Sequence, residues 1–144
     1  MFDELSKYSH YGHFFLQPND SLKEVCNAPT DKSGVLLVYA LARGEIELVF
    51  IGCSGRHLKD GSMFIRSAGL GGMKDRIVNG HQFGKVPRHK SWPKQMKGEG
   101  IDALDVYWYV THDNGFSDCP VKLRKELSRV FCDIYGKLPR WNKK

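Results

Sequence analysis

Ten lysines and arginines lie between Arg56 and Lys97: Arg56, Lys59, Arg66, Lys74, Arg76, Lys85, Arg88, Lys90, Lys94 and Lys97. Against them stand only Asp60 and Asp75, a balance of +8 that exceeds the +6 of the whole 144-residue chain. A charge run often does no more than solvate a surface. A one-signed block with few acids suits a polyanion, because neutralised phosphates release their condensed counterions. Directly before the block, Glu47–Gly55 reads ELVFIGCSG, an apolar run that stops on Gly52. Glycine permits close approach of another backbone or a ligand, so such an ending can form a floor beneath something bound. Gly69-Leu70-Gly71-Gly72 resembles a phosphate loop only weakly, since it follows no strand and lacks the G-K-[ST] ending. The four cysteines (Cys26, Cys53, Cys119, Cys132) form no C-x-x-C pair, and the six histidines show no H-E-x-x-H spacing. Zinc is therefore not expected, and unpaired thiols are.

The elements that must position these residues can be read from pattern. Asp20-Ser21 can cap a short helix through Lys23–Cys26. Val35–Leu41 reads as a buried strand and Ile46–Ile51 as its hairpin partner. The turn between them is either Ala42-Arg43-Gly44 or Arg43-Gly44. The glycine-rich stretch 53–72 reads as a long loop, Met73–Gly80 as a helix, and 82–100, broken by Pro87 and Pro93, as irregular. Residues 102–111 alternate as a half-buried strand. From Pro120 to about Tyr135, Leu123, Leu127, Val130, Phe131 and Ile134 form one helical stripe, which Gly136 ends. Hairpin, helix, strand, helix predicts an α+β domain with a small, mainly antiparallel three-stranded sheet flanked by helices. Residues 1–32 read as an N-terminal extension packed on a single domain spanning 33–144. No apolar run approaches a membrane span, and the first residues lack the order of a signal peptide, so a cytoplasmic protein is expected.

One combination is more specific than its parts. A Gly-Val strand, a hairpin return ending Phe50-Ile51-Gly52, a helix carrying Lys74-Asp75-Arg76, and a last helix with Glu126 ahead of Pro139-x-x-Asn142 occur in one order. In this the chain resembles the GIY-YIG nuclease superfamily over roughly residues 33–142. The resemblance implies a metal-dependent endonuclease acting on DNA, with RNA also open, as monomer or homodimer. It implies Arg76 as the catalytic arginine and Glu126 as the ligand of Mg²⁺ (or Mn²⁺). A tyrosine of the first strand would position water, and His81 would serve as the helical histidine, one residue later than usual. Asn142 would close the domain. Lys74, Lys85, Arg88, Lys90, Lys94 and Asn142 would contact nucleic acid. Such chemistry needs a group to position water, a cation for the phosphate charge and help for the leaving oxygen.

Beyond His81, the sequence departs from that pattern or leaves it open at three points. Phe50 stands where the second signature has tyrosine. The first-signature position is Leu36 or Tyr39, which face opposite sides of a regular strand. Arg124 takes the glutamate's position if the helix register slips by two. The alternative function is accordingly a nucleic-acid-binding module that keeps the fold without catalysis. A third is an enzyme binding a small phosphorylated ligand through residues 69–76.

Overall fold

The computed structural model describes residues 2–57, 63–65, 72–112 and 118–142. A 3-10 helix (Asp3–Lys7) leads into β1 (Tyr11–Leu16) and α1 (Leu22–Val25), whose cap Ser21 accepts from the Glu24 amide. The chain continues through β2 (Ser33–Ala42), β3 (Glu45–Cys53) and a small ribbon of β4 (Gly55–His57) and β5 (Met63–Ile65). Then come α2 (Gly72–Asn79), α3 (Arg88–Glu99), β6 (Ala103–His112) and α4 (Pro120–Tyr135).

The main sheet is antiparallel in the order β1-β6-β2-β3, so it has four strands where the sequence predicts three. The fourth is β1, within the segment read as an extension. It joins the sheet because Phe14 and Leu16 alternate inward to the core while Tyr11, His13 and Phe15 turn outward. The stretch read as irregular contains α3. Pro87 sits at its N-cap with extended backbone, a position where a missing amide costs little, and Pro93 is tolerated inside. The ribbon β4–β5 lies in the stretch read as a loop.

Two cores hold the sheet between helices. On one face Leu36, Val38 and Val106 meet Ile77 of α2 and Trp92 of α3. On the other, Val35, Leu37 and Ile51 meet Leu127 and Phe131 of α4. Ile77 and Leu127 are fully buried, each worth about 1.5–3 kcal/mol relative to exposure.

The turn is Arg43-Gly44, with φ of 53° and 75° and Ala42 opposite Glu45, the two-residue geometry that matches strand twist. That turn alone would put Phe50 on the Tyr39 face. A bulge prevents it: Tyr39 pairs with Leu48 but Val38 with Phe50, leaving Val49 as the extra residue. The bulge flips every later side chain of β3. Phe50 therefore packs with Val38 on the α2–α3 face.

Candidate anion-binding site

Beyond the C-terminal half of β3, between the helix layers, lies a cavity of about 470 Å³. Four strand residues, Phe50 to Cys53, form its floor; α2 and the loop after it bring Arg76, His81 and Gln82, and α3 begins with Arg88. From the opposite layer, the first turns of α4 add Val121, Arg124 and Lys125, and the C-terminal tail adds Trp141 and Asn142. Four full cations thus line one cavity, and none of its described lining residues is an aspartate or glutamate.

Arg88 is the unusual member. It is only 4% exposed. Its Nε donates to Gln82 Oε1 at 2.9 Å and its Nη1 to the Arg76 carbonyl at 2.8 Å, while Phe50 and Trp92 present ring faces 5.4 and 5.7 Å away. Gln82 Oε1 also accepts from Trp92 Nε1, so the acceptor that orients Arg88 is itself held. Gly80 makes room for this arrangement, since a Cβ there would collide with both the Arg76 carbonyl and Arg88 Nη1. Burial, with Arg76's like charge added, pulls the Arg88 guanidinium down to about 9. It stays charged at neutral pH, with no carboxylate among the described residues in ion-pair contact. Buried charges are ordinarily paired. An anion supplied from outside would complete this one.

Arg124 approaches Cys53 from α4. Burial pushes the Cys53 thiol up despite the nearby Arg124 and Arg76, so it is a poor nucleophile. None of the four cysteines is disulfide-bonded.

The floor answers why β3 ends on glycine. A Cβ on Gly52 would lie 2.5 Å from Phe50 Cε2 and 3.2 Å from Leu36 Cδ2. The group that comes close to Gly52 is thus the Phe50 ring, which lies beneath Arg88.

The structure brings together Arg76, His81, Arg88 and Asn142 of the expected site residues and leaves the others elsewhere. Tyr39 packs in the α4-side core, edge-on to Tyr107 at 5.7 Å, on the face away from α2. Burial, neighbouring tyrosines and Asp105 raise its phenol above the ordinary value. Glu126 is exposed and bonded through both oxygens to Arg129. With Leu127 on the sheet, residues 124 and 126 diverge by about 200° around the helix, so Arg124 turns inward and Glu126 outward. Lys74 lines a separate hollow with Lys23 and His89. Lys85, Lys90 and Lys94 are exposed.

Asn142 lines the cavity, but its amide is committed to structure. Its Oδ1 accepts from the Ile51 amide at 2.9 Å, and its Nδ2 donates to the Ile51 carbonyl at 2.8 Å. Together with the bond from the Trp141 amide to the Val49 carbonyl, it seals the β3 edge. Sequence reasoning missed Lys125, Gln82 and the central place of Arg88. The glutamine and arginine are six residues apart across a loop, a spacing that no helical or strand period relates.

A divalent cation of the Mg²⁺ kind takes oxygen ligands, chiefly carboxylates. The cavity's described residues offer cations in those places, and no group of three or more His, Cys, Asp or Glu that could hold a metal occurs among the described residues. The described donor set does not fit such a cation. No helix among the described residues is long and apolar enough to cross a membrane.

No family model, curated protein or solved structure matches the chain. Fold and site together define a class: an α+β domain with a cation-lined, carboxylate-poor cavity at one sheet edge.

Proposed function

We propose that the protein is a nucleic-acid-binding module with a GIY-YIG-like arrangement that grips phosphate through guanidinium groups and does not cleave it. The observation that carries this reading is the buried Arg88, with no carboxylate among the described residues in ion-pair contact, in a cavity shared with Arg76, Arg124 and Lys125. Guanidinium and phosphate pair through parallel charge-assisted bonds, which are stronger than neutral ones. A polymer is favoured over a small metabolite because the charge continues outward from the cavity. Arg88 opens α3, and Lys90, Lys94 and Lys97 stand exposed along the same helix, with Lys85 on the loop before it.

The carboxylate for a metal and a tyrosine beside Arg76 are what an endonuclease would add. Tyr39 on the far face and Glu126 locked to Arg129 argue against that addition.

The test is fluorescence anisotropy with a labelled DNA duplex, in EDTA and in Mg²⁺, across a salt series, beside incubation of supercoiled plasmid with Mg²⁺ or Mn²⁺. Equal binding with and without metal, a steep salt slope and intact plasmid are expected. Metal-dependent nicking would restore the endonuclease reading. Absence of binding at low salt would remove the nucleic acid from the account.

A further inference from the structure

The cavity's charge exceeds what an internal phosphate offers. Each internal phosphodiester carries a single negative charge and has a sugar on either side. A terminal phosphomonoester carries about −1.5 to −2 at neutral pH, presents three strong acceptor oxygens and stands clear at the end of its strand. Resting on the nucleic-acid reading above, we infer that the cavity seats the terminal phosphate of a nucleic-acid strand, so that the protein recognises strand ends.

Three features of the site carry the inference. Arg88 belongs to the inner wall and not to the surface, at 4% exposure. Its Nε and one Nη1 hydrogen are engaged by Gln82 and the Arg76 carbonyl, which fixes the plane of the guanidinium and leaves its other N–H groups for a ligand. A phosphate flanked by two nucleosides reaches such a wall only with a sharp kink, whereas a terminal one enters end-on. Next, Arg76 and Arg88 come from one helix layer and Arg124 and Lys125 from the other, so donors converge from two sides. That arrangement suits a group with three free oxygens better than a diester with two. Finally, a cavity of about 470 Å³ is the size of small-ligand sites and admits a phosphate with its sugar, while a duplex stays outside against the lysines of α3.

The experiment compares internally labelled duplexes of one sequence bearing 5′-phosphate, 3′-phosphate or hydroxyl ends, with a covalently closed circle as the end-free form, all in EDTA. At least one phosphorylated end is expected to bind about tenfold or more tightly than the hydroxyl end, a difference of about 1.4 kcal/mol. The arm that gains identifies which terminus is recognised. Arg88→Gln should abolish the preference, so that phosphorylated ends bind no more tightly than hydroxyl ends. Arg124→Gln, at a partly exposed position, should do the same if Arg88→Gln fails to fold. Lys90→Gln with Lys94→Gln should weaken all four ligands alike and keep the preference. Equal affinity for phosphorylated ends, hydroxyl ends and circle would overturn the inference and leave the nucleic-acid reading standing. No binding to any of the four would overturn both.

Discussion

Along β3 the tail closes the sheet: Trp141 and Asn142 bond to Val49 and Ile51, and Arg140 reaches Glu47 and Glu99. Along β1, at the other side, aromatic rings lie open. Tyr11 is 60% exposed and stacks on Tyr109, and His13 stacks on Tyr107 while pairing with Asp105 at 2.8 Å. α4 packs mainly on β2 and β3, with Tyr107 and Tyr109 only partly buried against its core. The aromatic side satisfies itself: ring meets ring, and His13 hydrogen-bonds Asp105 within the sheet. The β3 side is braced by many bonds and still carries the buried Arg88 guanidinium, with no carboxylate among the described residues in ion-pair contact. Under the function proposed above, that charge is what an anionic partner would complete.

Charge reversal separates the two regions most strongly. Arg124→Glu should lower affinity for a phosphorylated duplex by on the order of a hundredfold, about 2.7 kcal/mol, whereas Tyr11→Ser should leave it unchanged. Anisotropy titrations read both. A comparable loss from Tyr11→Ser would move the site to the aromatic side.

The next difference is in stability. Asn142→Ala removes two hydrogen bonds and leaves the Ile51 amide and carbonyl without these partners, a cost of about 2 kcal/mol. Thermal melting should show a drop of several degrees. Tyr11→Ser, at an exposed ring, should cost about 0.5 kcal/mol or less.

Acid should loosen the braced side. Burial pushes the Glu99 carboxyl up, but bonds from Gln95, Arg140 and Trp141 more than offset it, and the net direction is down. The unfolded chain therefore takes up this proton first as pH falls. The stabilisation is complete above the ordinary value of 4.5 and is lost as pH drops through the lower folded value. Glu99→Gln should flatten that part of the melting-temperature profile below pH 4.5. An unchanged acid limb would contradict the brace.

Much of this architecture was legible in the chain. The Val35–Leu41 run, the Leu123–Leu127–Phe131 stripe and the glycine at 136 marked elements that formed where expected, because burial period and end signals agreed. β1 was obscured because Tyr11, His13 and Phe15 put aromatics on its outer face and blurred the alternation. Prolines 87 and 93, with a buried arginine at the first helical position, hid α3. The Val49 bulge is set by pairing across the sheet and leaves no local mark, yet it decides which way Phe50 faces. For the site, the basic block pointed to an anion. The choice between Arg124 and Glu126 depended on which side of α4 meets the sheet, and the inward turn of Arg124 follows from Leu127 being buried.

The smallest effect, and the most direct test of the central claim, is the local response of backbone amides to ligand. Two-dimensional NMR of the protein in EDTA, titrated with a short phosphorylated duplex, should shift the amides of Ile51–Cys53, Arg76, His81 and Arg124 while those of Tyr11, Tyr107 and Tyr109 stay in place. Shifts confined to the aromatic strands, or shifts near Arg76 that appear only when Mg²⁺ is added, would contradict the account.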